Sequence, residues 1–454
     1  MFRSQIPPGD VRPTLKRHML ADGFEPILDL EKSHGSWIVD ARNGREYVDL
    51  FSFYAAMPLG LNHPKMTTDE VIRHLGRVAV NKPTNSDIYS TVMAEFVDTF
   101  ARVGIPDDLP HLFLVEGGAL AVENLLKMAF DWKVRKNFVK GLTVEKGHKI
   151  IHFRECFHGR SGYTMSMTDS HDPRKTRYFP KFDWPRVTNP KMTFPMNDLN
   201  IEKVAALEAK AIREIKQALA DNPDDIAGLL IEPIQAEGGD NHFRPEFFAA
   251  LRELADESDF LLLVDEVQTG FGLTGTFWGH EQMNVKVDGL AFGKKMQVCG
   301  ILGGRRVDEV DENVFAISSR INSTWGGNLV DMARSRLYLE IFEEENTLEH
   351  VRITGEHLLG RIQRMEREMG GLISNARGRG LMCAFDLADG SIRKEVLDAA
   401  LADGVFILGC GNRSIRFRPA LNIPRDVLEE GIARLERALR AVAAKHPSES
   451  PAKG

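Results

Sequence analysis

Two adjacent lysines, Lys294 and Lys295, end the mostly apolar opening of "DGLAFGKKMQVCGI". Taking an ammonium out of water is costly unless it is paired or loses its charge. The doublet therefore reads either as a snorkelling surface pair or as a lysine whose amine is meant to react. Other residues able to do chemistry stand just after short apolar runs. Asp265 and Glu266 follow "FLLLV", and Phe157, His158, Gly159 and Arg160 come soon after "KIIHF". Glu232, Pro233, Gln235 and Glu237 follow "AGLLI". Gly117, Gly118 and Ala119 follow "HLFLVE" and lead into a helical pattern, where free N–H groups can hold a phosphate. Singly, each has an ordinary explanation: a tight turn, a salt bridge, a polar strand end. Jointly they point to one site, because open α/β sheets bind ligands beyond the carboxyl ends of their strands.

The elements that must position these residues are legible in outline. "GSWIVDARNGREYVDLFS" carries an Asn43-Gly44 hairpin signal between two apolar runs. The runs "HLFLVE", "KIIHF", "AGLLIEP" and "FLLLVDE" alternate with helical patterns and show little polar alternation, as parallel strands covered on both faces do. Past residue 330, "LMCAFDL", "VFILGCG" and "SIRFRPAL" read as strands of a separate small sheet. A helix follows, with apolar residues at Leu428, Ile432, Leu435, Leu439 and Val442 and with Pro424 as a first-turn proline. The expectation is a large domain over 66–330 and a small domain built from 1–65 and 331–446. The tail 447–454 is expected to be disordered.

Composition narrows the classes. Hydrophobic residues make up 43% and charged residues 27% of 454, so an ordinary globular protein is expected. The net charge of −7, with signs interspersed, argues against a nucleic-acid surface. No apolar run is long enough for a membrane span, and the opening residues lack a secretory h-region. The four cysteines, Cys156, Cys299, Cys383 and Cys410, are far apart and suit a reducing cytoplasm. "GFGLTG", Gly270–Gly275, matches a dinucleotide pattern but lacks an abutting strand and a good helix opening. His148 and His152 fall in a strand pattern with no third metal ligand evident, so no metal is expected.

The segments "DARNGREYVDLFS", "GLNHPKM", "EGGALAVENLLK", "FHGRSGYT", "IEPIQAEGG", "VDEVQTGFGLTG", "FGKKMQ", "NSTWGGN" and "IRFRPAL" stand in one order along nearly the whole chain. In them the chain resembles the class III (ω-amino) aminotransferases, pyridoxal 5'-phosphate enzymes of fold type I. That resemblance implies an α/β fold, with a large, mostly parallel sheet flanked by helices and a small α+β domain. It implies that Lys294 joins the cofactor covalently, with Lys295 the alternative, and that Asp265 pairs with the ring nitrogen. Gln268 would bond the phenolic oxygen, while Val267 and Phe157 would face the two sides of the ring. Many relatives carry Tyr at the Phe157 position, so a hydroxyl contact is missing. Glu232 belongs to the same cofactor set. Gly118 and Ala119 would hold the phosphate, joined by Thr324 from a neighbouring subunit, which implies a homodimer with shared sites.

Within the family, "EGGALAVEN" and "FGKKMQVCG" are similar to members that transfer the terminal amine of L-lysine to 2-oxoglutarate. Arg416 would bind the α-carboxylate of 2-oxoglutarate or glutamate, and Arg160 the distal carboxylate or lysine's α-carboxylate. Glu237 would cover Arg416 during the lysine step. 4-Aminobutyrate and ornithine are the alternative donors. An effector sensor of the same fold and a nicotinamide oxidoreductase are the readings from other classes.

Overall fold

The computed structural model describes residues 6–446. Strands β1 (Trp37–Val39) and β2 (Glu46–Asp49) form the expected hairpin, paired Trp37↔Val48. Its turn places Gly44 at φ +74°, a conformation that favours glycine.

The main sheet is built from β3 (His111–Val115), β4 (Lys149–Phe153), β5 (Arg186–Val187) and β6 (Ile226–Ile231). A two-residue-per-strand ribbon, β7 (Ile234–Gln235) and β8 (Asn241–His242), sits outside it. Strands β9 (Leu261–Asp265), β10 (Gly289–Phe292) and β11 (Cys299–Gly303) complete the seven, in the order β3-β11-β10-β9-β6-β4-β5. The four apolar runs read as parallel strands do run in one direction. Strand β11, which that reading does not contain, runs antiparallel to both β10 and β3. The reason is chain length: residues 293–298 are too few for a crossover, so the chain must turn straight back.

The missing polar alternation has a direct cause. Leu229, Ile231, Leu262, Val264, Leu290 and Phe292 pack into one buried cluster, with Phe247, Phe248 and Leu251 of the helix Pro245–Glu257. Their neighbours Ala227, Leu230, Leu261, Leu263 and Ala291 pack into another, under Ala121, Val122, Leu125 and Met128 of the helix Gly118–Val139. Both faces are dry, so both sets are apolar.

Strands β12 (Ser374–Arg379), β13 (Met382–Asp386), β14 (Val405–Phe406), β15 (Leu408–Cys410) and β16 (Ser414–Phe417) follow. Four of them form an antiparallel sheet in the order β12-β13-β16-β15. One sequence expectation needs correction here, and one strand was not foreseen. "VFILGCG" is not one strand, since β14 pairs with β2 and β15 with β16. "SNARGR" is a strand despite its polarity, because buried Arg377 is satisfied by Asp386, Ser414 and the carbonyls of Gly239 and Asp240. The last helix, Arg425–Lys445, buries Leu428, Ile432, Leu435, Leu439 and Val442 as expected. Pro424 is its N-cap at ψ +146°, one step before the first turn. The tail 447–454 lies outside the described residues.

The sheets are tied by an ion pair that excludes water. Arg418 and Asp240 are both 0% exposed, and Arg418 Nη1 donates to Asp240 Oδ2 at 2.9 Å. Removing one charge from such a pair leaves the other buried and uncompensated. Asp240→Asn should therefore lower unfolding stability by about 3–5 kcal/mol. Urea denaturation measures this directly, and a loss within error of zero would contradict the assignment.

Candidate active site

A cavity of about 380 Å³ opens at the carboxyl ends of β9 and β10, lined among others by Gly118, Ala119, Phe157, Arg160, Glu232, Glu237, Asp265, Val267, Gln268 and Lys294. The register Ala291↔Asp265 sets the two strand ends side by side. The tight return after β10 then presents Lys294, at φ +49°, to the cavity. Lys295 turns elsewhere, donating to Met57 O at 2.8 Å and Ser52 Oγ at 3.3 Å. The two lysines thus answer both halves of the sequence ambiguity, one at the site and one buried in structure.

Burial, reinforced by the nearby charge of Arg416 and opposed by Asp265, brings Lys294 down to about 8. Asp265 is 6% exposed, and its carboxylate accepts from Val267 N at 3.1 Å and from His158 Nδ1 at 2.8 Å. Glu232 accepts from the backbone N–H groups of Phe157 and Ala236 at 2.9 and 3.1 Å. Burial and the neighbouring Asp265 push the Glu232 carboxyl well above the usual range. Glu232 thereby fixes the main chain that carries the Phe157 ring.

Gly117, at φ +111°, caps the 22-residue helix Gly118–Val139 without any side-chain cap, leaving first-turn N–H groups free. A Cβ on Gly118 would crowd Val267 Cγ1 at 3.0 Å, so a side chain here would push the valine into the cavity. Gln268 Oε1 accepts from Arg418 Nε at 3.2 Å, which turns the amide nitrogen of Gln268 to other partners. A recessed amine, a buried carboxylate, two apolar walls and an open helix N-terminus are the donor set for an aromatic aldehyde phosphate. The residues present fit pyridoxal phosphate.

Arg416 lies behind the lining, 3% exposed, and its Nη2 donates to Glu237 Oε2 at 3.1 Å. Its Nε and Nη1 are buried with no partner. Glu237 also accepts from Lys175 Nζ at 2.5 Å. Burial works to raise the Glu237 carboxyl, but Arg416 and Lys175 outweigh it and hold it below its ordinary value. Arg160 is exposed at the rim and has no ion pair among the described residues. Thr324 does not line this cavity; it is exposed beside Trp325. Glu266, which adjoins Asp265, is taken up structurally by Gly279 N, His280 N and His280 Nδ1 at 3.0, 2.7 and 2.8 Å.

Sequence reasoning missed the roles of His158, Lys175 and Arg418, and did not place Cys299 in the lining. Arg418 was detectable, since it shares the strand face of Arg416 two residues away. Lys175, in an irregular stretch, gave no signal. Lys294 should titrate apart from the exposed lysines. In cofactor-free protein, acylation of Lys294 relative to its own plateau should be half-maximal near pH 8. Exposed lysines follow at about 10.4, because only the neutral amine reacts. Peptide mapping across pH checks this; titration of Lys294 with the exposed lysines would contradict it.

A family model described as aminotransferase class-III matches residues 20–439. The L-lysine-epsilon aminotransferase of Mycobacterium tuberculosis is 50% identical over 436 residues, 96% of each chain. A solved structure described as lysine aminotransferase from M. tuberculosis in the internal aldimine form is also 50% identical, with a TM-score of 0.94. That match covers 96% of this chain and 99% of the other. The mitochondrial 4-aminobutyrate aminotransferase of Mus musculus is 30% identical over 423 residues, 88% of this chain and 82% of its own. With Lys294, Asp265 and the helix N-terminus gathered in one cavity, and with a family match across nearly all its length, this chain belongs to the class-III aminotransferases.

Proposed function

We propose that this chain transfers the terminal amine of L-lysine to 2-oxoglutarate, giving 2-aminoadipate 6-semialdehyde and glutamate with pyridoxal phosphate as cofactor. The observation that carries the lysine reading is the pairing of Arg416 with Glu237 while Arg160 stays free at the rim. Two guanidiniums flank one cavity, and one of them is covered by the protein's own carboxylate. The identity to lysine-epsilon aminotransferases, well above that to a 4-aminobutyrate enzyme, supports the same donor.

The cofactor, when bound, supplies an electrophilic carbon and a protonated ring that takes up electrons from the substrate carbon. Free N–H groups at Gly118 and Ala119 hold its phosphate. Asp265, aligned by His158, keeps the ring-nitrogen proton in place. The Gln268 amide would donate to the phenolic oxygen, Val267 would pack one face, and Phe157, anchored by Glu232, would pack the other. Lys294 would supply the amine that holds the cofactor and a base placed to move a proton at the substrate carbon.

Arg160 grips lysine's α-carboxylate, which holds the terminal amine at the reacting carbon. Glutamate must react at its α-amine instead, so its α-carboxylate needs Arg416. Glu237 takes one N–H of Nη2 and sets a negative charge beside the guanidinium, so a ligand carboxylate is repelled there until Glu237 leaves. Thr324 reaches the phosphate only from a second copy, which makes the working unit a homodimer with shared sites. The free, mostly buried cysteines fit a reducing, cytoplasmic setting.

Turnover of a donor panel with 2-oxoglutarate tests the function. Lysine carrying ¹⁵N at its terminal amine should pass the label to glutamate faster than 4-aminobutyrate or ornithine passes its nitrogen. Preferential use of either rival donor, or loss of lysine's α-nitrogen, would contradict the reading. Glu237→Ala should leave the glutamate half-reaction at least as fast and let a measurable share of lysine lose its α-amine. Equal losses with both donors, with the 6-semialdehyde still the sole lysine product, would mean that Glu237 is no gate.

A further inference from the structure

Glu237 is held from two sides, by Arg416 and by Lys175. Lys175 ends the short turn Pro173–Lys175, which is pinned where Asp172 Oδ1 accepts from Arg174 N at 3.1 Å. From there Lys175 Nζ donates to Glu237 Oε1 at 2.5 Å, while Arg416 Nη2 donates to Oε2 at 3.1 Å. One carboxylate bridges two cations, an oxygen to each. The cations differ in burial: the Arg416 side chain is 4% exposed, that of Lys175 is 21% and that of Glu237 is 28%.

We propose that Lys175 is the counter-cation that sets how readily Glu237 leaves Arg416, and is thereby a specificity-determining residue for the glutamate half-reaction. The proposal rests on the lysine and 2-oxoglutarate reading given above. Arg416 is deep, so relieving the repulsion between a ligand carboxylate and Glu237 requires Glu237 to move. The main chain of Glu237 is tied down, since its carbonyl accepts from Gly411 N at 2.8 Å. Gly238, the next residue, has no room for a Cβ against the Glu155 carbonyl. The motion therefore belongs to the side chain.

A carboxylate pulled off one partner inside a partly buried site is penalised unless it keeps another. Lys175, on the solvent side, remains that partner. It stabilises the open arrangement directly, whereas in the closed arrangement Arg416 already satisfies Glu237. Removing the ammonium should bias Glu237 towards Arg416, against glutamate and 2-oxoglutarate. Lysine, which needs Arg416 covered, should be much less affected. A direct grip by Lys175 on the ligand makes a different forecast, because its effect would not need Glu237. The ammonium also lies 5.7 Å from the Phe157 ring centroid, and loss of that packing would weaken both half-reactions alike.

The test is single-turnover absorbance kinetics on holoenzyme with L-glutamate and with L-lysine separately. The comparison covers wild type, Lys175→Met, Lys175→Arg, Glu237→Ala and the double variant Lys175→Met/Glu237→Ala. Lys175→Met should raise the apparent Kd for glutamate about tenfold, the size of coupling expected between charges in contact. The lysine constant should move by less than about threefold, with the 6-semialdehyde as its product. Lys175→Arg should restore glutamate binding, and in the Glu237→Ala background Lys175→Met should have no further effect. A glutamate defect that persists without Glu237, a parallel loss with both donors, or an unmoved glutamate constant overturns the proposal. Wild-type enzyme that leaves lysine's terminal amine unreacted removes the functional reading itself, and the proposal with it.

Discussion

The Arg418–Asp240 ion pair is the contact on which the rest of the site depends. Both residues are fully buried, and such a pair holds only if its remaining hydrogen-bonding capacity is met. It is met by segments far apart in the chain. Arg418 Nε reaches Gln268, its main-chain N–H bonds Leu50 O at 2.8 Å, and the Asp240 carbonyl accepts from Arg377 Nε at 2.9 Å. Strand β16, the loop that carries Glu237, the turn after β9 and the end of β2 are thus locked at one point. Arg416 and Glu237 hang on either side of that lock, which fixes their separation to what one hydrogen bond spans.

Around this lock the charges are ordered by depth. Lys294 lies where burial and Arg416 both work against its proton, which favours a neutral amine. Lys295, one residue on, is brought down to about 7 by burial, with Asp49 opposing the shift. It sits in a separate polar pocket with Ser52 and Met57, so the adjacent lysines do not compete for one site. The sharp backbone of the β10–β11 return sends them to opposite sides, with Lys294 at φ +49° and Gln297 at φ +62°.

What was legible in the sequence follows from what is local. Strands β4, β6 and β9 are readable because they are buried on both faces, and each of the four apolar runs, β3 included, is followed within a few residues by residues of the site. Strand β11 was not readable, because Gly300 and Gly303 weaken its pattern and nothing in the run shows its direction. Strand β12 was hidden by Arg377, whose burial depends on acceptors from Gly239 and Asp240, more than a hundred residues earlier. Among site residues, those on motif-bearing loops could be named in advance. Lys175 could not, since its partner Glu237 is remote in sequence and its own turn carries no periodicity. The pairing of His158 with Asp265 was invisible for the same reason, although His158 itself stands in a motif.

The central claim is that one cavity serves two donors because a carboxylate moves off Arg416 without losing its charge partner. A crystal structure of the holoenzyme with bound glutamate examines this most directly. The account predicts glutamate's α-carboxylate forked on Arg416, with Glu237 withdrawn and still bonded to Lys175. Glutamate bound productively while Glu237 remains on Arg416 Nη2 would contradict it.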